Sequence, residues 1–362
     1  MSAPSNRERL SSLDVMRGAT VALMILVNNG GGSEHFPTLV HSKWNGLTLC
    51  DIVFPFFLFM VGVSIYLSFR KFDFLADRAV LVKILKRTLG LFLIGLAINW
   101  FDLACKGRPL DFAHLRIWGV MQRIALCYGI AALLAVTINR KAILPLAALL
   151  LFAYTAILLF GHGYSQDPSL NILSRVDRAL FGENHLYTKS AVDPEGLLGT
   201  ISGVAHTLIG LWCGFIIGSP VEKGRKASLL ACIGAVLAVG GLILTLSLPL
   251  NKRIWSPSYV LLTCGMASVV LGALMYIIDV KGWKGWISPF LVFGMNALFL
   301  YVLSEVLCIA FGATGISDAA YGLIEGVVSA PKWASLAYAL LFVAVCWAAG
   351  YPLYRKRIFI KI

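Results

Sequence analysis

The chain has 362 residues, 59% of them hydrophobic and only 14% charged, with a mean hydropathy of +0.81. A soluble domain carries about a quarter charged residues, so this composition excludes an ordinary soluble enzyme and indicates a protein of the lipid bilayer. The net charge of +13 would suggest nucleic acid in a soluble protein; here lysine and arginine collect in loops on one side, as membrane topology requires, and no nucleic acid is expected as a partner.

Ten apolar segments follow in order, at residues 13–29, 50–69, 81–100, 119–138, 143–160, 197–217, 227–248, 258–278, 287–311 and 333–353. Most reach the ~20 residues that a spanning helix needs. They predict an all-α, polytopic integral membrane helical bundle of about ten transmembrane helices, with residues 1–362 forming a single domain. The first segment ends in Asn28-Asn29-Gly30-Gly31-Gly32, not in a small-residue cleavage site, so it is a retained helix and not a signal peptide. The basic turn from Lys83 to Arg87 is assigned to the loop before the third segment. Counted loop by loop, lysine and arginine divide twenty to ten between the two sides. That bias places both termini in the cytoplasm. The loop carrying His41 then faces outward, as does the long polar loop 161–197, a length often tied to function. The eight cysteines include no C-x-x-C pair and are small buried hydrophobes, not a disulfide framework or a zinc site. No histidine stands at metal-ligand spacing, and no metal is expected.

Polar residues at the ends of these segments are the candidates for chemistry. His41 can take a proton from an amine or hydroxyl nucleophile, carry an acyl group covalently, or simply sit wetted at the interface. Asn28 and Asn29 close the first segment. An asparagine amide there either stops the helix or donates to a developing oxyanion. Asp14 and Arg17 stand three apart on one helical face and are expected to pair with each other, with contact to a polar ligand as the other reading. Asp51, at the start of the second segment, suits the helix dipole and is also placed to orient His41. Gln122 and Arg123 in the fourth segment, and Asn296, Ser304 and Glu305 in the ninth, are costly within a bilayer and suggest a polar cavity. The outward stretch Asn251 to Tyr259, with Lys252 and Trp255, is either an interface anchor or a site for an anionic ligand.

Several motifs together resemble a known family. They are R-L-S-S-L-D-V-M-R-G from Arg9, V-N-N-G-G-G from Val27, H-S-K-W-N-G-L-T from His41 and D-I-V-F-P-F-F-L-F-M-V-G from Asp51. Later come G-V-M-Q-R-I-A-L-C-Y from Gly119, D-P-E-G-L-L-G-T from Asp193, N-K-R-I-W-S-P-S-Y-V-L from Asn251 and F-G-M-N-A-L-F-L-Y from Phe293. In this order they resemble the heparan-alpha-glucosaminide N-acetyltransferases and their bacterial relatives. The resemblance implies transfer of acetyl groups from cytosolic acetyl-CoA to an amino sugar across a membrane. The family's catalytic histidine falls on His41, and a family asparagine falls on Asn28. Asp14, Arg17, Asn29, Trp44, Asp51, Gln122, Arg123, Lys252, Trp255 and Asn296 are the candidate substrate- and cofactor-binding residues.

The sequence begins almost directly at the first shared helix, without the large luminal domain and preceding span of the lysosomal enzyme. The expected acceptor is therefore a periplasmic amino sugar or glycan, with the protein in a bacterial inner membrane. The expected partners are acetyl-CoA, that acceptor and the lipid bilayer, with a homodimer left open. The competing reading is an amino-sugar transporter of the inner membrane. Transporters often show inverted repeats and ion-coupling acids near the midplane. Here no repeat is visible, and Glu305 is the one clear mid-span acid. A purely structural or partner-anchoring membrane protein is a third reading, against which the polar groups within the spans argue.

Overall fold

A computed structural model describes residues 10–360. Arg7, Arg9 and Lys361, counted above toward the cytoplasmic charge, lie outside that range. The described residues form helices and their connections, without strands. In chain order they are α1 (Ser11–Asn28), α2 (Leu49–Phe69), α3 (Arg78–Cys105), α4 (Val120–Thr137), α5 (Ile143–Phe160), α6 (Ile172–Phe181) and α7 (Gly199–Gly218). Then come α8 (Lys223–Leu244), α9 (Pro257–Leu274), α10 (Ser288–Met295), α11 (Ala297–Thr314), α12 (Ile316–Val327) and α13 (Pro331–Arg355). Among the described residues nine of these helices are long and apolar enough to cross a membrane. The chain is thus a polytopic integral membrane protein, as its composition predicts. α3 is outside that set, although its 28 residues exceed the ~20 that a spanning helix needs. The basic turn assigned to a loop is helical, because the Asp77 side chain accepts from the Val80 amide at 2.7 Å and caps α3 at Arg78, ahead of the predicted segment.

Two further departures have local causes. The ninth segment, expected as one helix, is broken at Asn296 into α10 and α11. Asn296 leaves helical geometry and turns its amide to the C-terminal tail, donating to the Ile358 carbonyl and accepting from the Ile360 amide, both at 2.9 Å. The long polar loop contains α6, capped by Asn171.

At the centre, α2 packs on α7, with α4, α1 and α9 around them. In lipid no hydrophobic drive joins two apolar helices, so close packing must do so. Gly62 and Gly210 permit it: a Cβ on Gly62 would strike the Thr207 carbonyl, and one on Gly210 the Phe59 carbonyl. α5, α8, α11 and α13 are less than one-third buried and form the rim. Pro55 interrupts the ladder of α2 near its start. Proline has no N–H for the carbonyl four residues back, which is that of Asp51. The Tyr259 hydroxyl of α9 takes that place, donating to the Asp51 carbonyl at 2.6 Å.

Candidate active site

Asp51 is the anchor of the site. It stands in the first turn of α2, where Thr48 and Asp51 form a capping box. Its side chain is 1% exposed. One carboxylate oxygen, Oδ2, accepts from the Ser42 amide (3.1 Å), the Thr48 amide (3.1 Å) and the Thr48 hydroxyl (3.0 Å). The other, Oδ1, lies 2.8 Å from His41 Nδ1. A carboxylate can only accept, so Nδ1 carries the proton and Nε2 presents its lone pair. Nε2 stands 3.5 Å from the Cys50 sulfur. The imidazole is 48% exposed, so one edge is fixed by the buried acid while the other is accessible.

Lys252 completes this group. Its Nζ lies 3.1 Å from His41 Nδ1, 3.5 Å from Nε2 and 3.7 Å from Asp51 Oδ1. Burial pulls its ammonium below the ordinary lysine range, and the Asp51 charge opposes that pull. The turn that carries Lys252 is stapled to the His41 loop. The Gly46 backbone amide donates to the Leu250 carbonyl (2.8 Å), and the Asn251 side-chain Nδ2 donates to Asn45 Oδ1 (3.1 Å). Ser256 closes the turn by accepting the Asn251 amide at 3.0 Å. Residues two hundred positions apart are thus held in one cluster by backbone and asparagine contacts.

His41 and Cys50 line a cavity of about 330 Å³ together with Asn28, His35, Lys332 and Ser335. This is the lower end of the range for small-molecule pockets, the size of a sugar ring and an acetyl group. Its walls are mainly apolar, from α1, the His41 loop and α13. It extends along α13 from Lys332 to Ala339, roughly 10 Å at the helical rise. Asn28, the last residue of α1, is exposed to it and has no hydrogen-bond partner among the described residues. Asn29 points the other way: buried, it donates to the Ile25 carbonyl at 2.8 Å and acts as a helix stop.

The remaining candidates lie elsewhere. Asp14 and Arg17 pair at 3.1 Å, and Arg17 also donates to Ser64, at the end of the bundle away from His41. Trp44 is buried in a satellite cluster with Tyr154 and donates to the Tyr164 carbonyl at 3.1 Å. Arg123 is fully buried, donates to the Pro194 and Gly196 carbonyls (3.2 and 2.8 Å), and lies 5.5 Å from the ring centroid of Trp255. Gln122 is buried beside Gly95 and Gly119. Arg116 pairs with both Asp193 (2.9 Å) and Glu195 (2.8 Å), tying the 182–198 segment down near the same end. Asn296 serves the tail, as described above.

Residues not singled out from the sequence also line the cavity. Cys50 was indistinguishable from other cysteines in apolar runs. Lys332 and Ser335 sit on a helix whose sequence signals only a membrane span, although Ser335 meets His35 at 2.7 Å across 300 residues.

Fold and site together define a polytopic helical membrane protein with a solvent-accessible pocket built on a histidine–carboxylate pair. Residues 9–175 match the family model described as heparan-alpha-glucosaminide N-acetyltransferase, catalytic. Across 99% of its length the chain is 31% identical to the mouse heparan-alpha-glucosaminide N-acetyltransferase. Across 98% it is 30% identical to the human protein of the same name. It spans 61% and 60% of those two relatives. Along nearly all of its own sequence the chain is thus similar to heparan-alpha-glucosaminide N-acetyltransferases, the resemblance that its motifs carry. The matched model covers α1, the His41 loop and Asp51, and thus the centre of the cluster.

Proposed function

We propose that this protein is a transmembrane acetyltransferase that moves an acetyl group from cytosolic acetyl-CoA to the amine of an amino sugar or glycan on the periplasmic side. The observation that carries the reading is the His41–Asp51 pair at 2.8 Å, opening on a cavity that Asn28 also lines. In this reading the acceptor amine attacks the thioester carbonyl. His41 Nε2 takes the amine proton, and Asp51 holds the resulting imidazolium. Asn28 donates to the oxyanion, and the sulfur leaves as coenzyme A thiolate, which takes that proton from His41 and regenerates the base. Proton transfer by a positioned base contributes typically ~10²–10⁴ in rate. The cavity suits the reacting groups and not the nucleotide, so the donor's adenosine end belongs nearer the cytoplasmic end. Lysines and arginines of the 70–77 connection and of the first turns of α3 and α8 suit its phosphates there.

The test is direct. Purified protein with labelled acetyl-CoA and glucosamine should yield N-acetylated sugar. His41→Ala should lose ~10²–10⁴ in rate while still binding coenzyme A by calorimetry. Folded protein that binds neither acetyl-CoA nor coenzyme A would overturn the reading in favour of transport of an amino sugar, which vesicle uptake would then show.

A further inference from the structure

Lys252 has a place in the cluster that substrate binding does not explain. Its side chain is 14% exposed and lies against the Asp51–His41 pair, not extended into the cavity, whose lining omits it. Every contact it makes in this group is to the histidine ring or to the orienting acid.

A buried carboxylate needs positive charge nearby. If His41 were the only cationic partner available to Asp51, the pair would favour carboxylate and imidazolium. An imidazolium has no lone pair to accept a proton. The ammonium 3.7 Å from Asp51 Oδ1 supplies the positive charge instead. At 3.1 and 3.5 Å from the two ring nitrogens, it also opposes a second proton on the ring.

We propose that Lys252 is a positioning residue whose charge neutralises Asp51 and keeps His41 uncharged, so that Nε2 can act as a base. The other ionisable groups around the imidazole do not duplicate this role. On α2 they are Asp51 itself and Cys50. His35 from the preceding loop and Lys332 from α13 line the same cavity. Glu195 and Arg253 act on Lys252 with opposite sign from farther out, and Glu195 is engaged by Arg116 at 2.8 Å. Burial lowers the lysine's own affinity for its proton, and the Asp51 charge opposes that pull.

The inference rests on the reading of His41 as a base, and one readout is independent of acetyl transfer. Of the two forms of imidazole, diethyl pyrocarbonate modifies only the uncharged one. Its rate on the His41 peptide, followed by mass spectrometry against pH in detergent-solubilised full-length protein, reports the protonation of that ring. In Lys252→Met the midpoint of this profile should rise, since a neighbouring like charge is removed, and in Lys252→Arg it should return to the wild-type position. The acid limb of acetyl transfer should move with it, so that activity lost near neutrality recovers as pH rises. If the Met variant does not fold, as judged by its melting temperature, Lys252→Gln carries the same test. An unchanged midpoint in a folded charge-removing variant overturns the proposal. So does loss of transfer at every pH with the His41 profile unmoved, which would make Lys252 a substrate contact. A shifted midpoint in a protein whose wild type transfers no acetyl group would support the electrostatic role and count against the acetyltransferase reading.

Discussion

Replacing Asp51 by Asn changes one atom and should change the histidine's tautomer. The buried carboxylate receives two sets of donors. Two backbone amides, of Ser42 and Thr48, converge on Oδ2 at 3.1 Å; the Thr48 hydroxyl, with one proton to give, also lies 2.8 Å from the Val40 carbonyl. An asparagine can satisfy the two amides only by placing its carbonyl oxygen there, because an NH2 would face two donors. Leaving buried donors unpaired costs ~1–3 kcal/mol each, so this orientation is strongly preferred. The NH2 group must then point at His41 Nδ1, now 2.8 Å from a donor in place of an acceptor. The ring responds by moving its proton to Nε2, and the lone pair needed for the acceptor amine is lost. The amide also leaves the Lys252 ammonium without its counter-charge. In a histidine–aspartate pair of similar geometry the same exchange costs roughly 10⁴ in turnover through the wrong tautomer, and that size of loss is expected here. The assay is labelled acetyl transfer per folded molecule, with coenzyme A affinity and melting temperature measured on the same preparation. Turnover within tenfold of wild type in folded Asp51→Asn would refute the tautomer argument and with it the role of His41 as a base.

Asn28→Ala removes an exposed amide without a hydrogen-bond partner among the described residues, so melting temperature should hold while turnover falls by roughly 10²–10³; a destabilised protein with normal specific turnover would make Asn28 a helix stop. Cys50→Ala should keep transfer within about tenfold, since the base serves the acceptor amine directly. A loss of His41→Ala size, with labelled acetyl trapped on Cys50 in the wild type, would instead indicate relay through the thiol 3.5 Å from Nε2. For sidedness, a cysteine probe at Ser33 should be labelled by an impermeant reagent from outside and one at Lys223 should not, and the reverse pattern would invert the proposed topology.

Much of the architecture is legible in the sequence because membrane insertion leaves a coarse signal. Apolar runs of span length identify the helices to within a few residues, except where a side chain redirects the backbone. Asn296 and Asp77 are such cases, and neither the tail contact of the first nor the cap of the second is visible in hydropathy. The His41–Asp51 contact is legible for a local reason: an acid in the first turn of a helix, ten residues past a loop histidine, can reach back to it. Its neighbours are not. Lys252 comes from a turn about two hundred residues away, and Ser335 and Lys332 from a helix at the far end of the chain. A single sequence carries no record of which spans lie side by side. Cys50 was hidden by its own chemistry, since a small apolar thiol in an apolar run looks the same whether it faces lipid or a cavity.

The proline in the first turns of α2 has a mechanical consequence. Because the Asp51 carbonyl is held by the Tyr259 phenol and not by its own helix, the acid hangs from a lateral strut. Its coordinates are referenced to the first turn of α9, and the same α9 follows directly from the turn that carries Lys252. Acid and ammonium therefore share one mooring. A shift of α9 relative to α2 would carry both together, preserving their spacing while changing their angle to the cavity. Strain applied farther along α2 would be absorbed at the proline before it reached them. The cluster is thus insulated from the length of the helix it stands on, and substitutions at Tyr259 should disturb it more than substitutions along the distal half of α2.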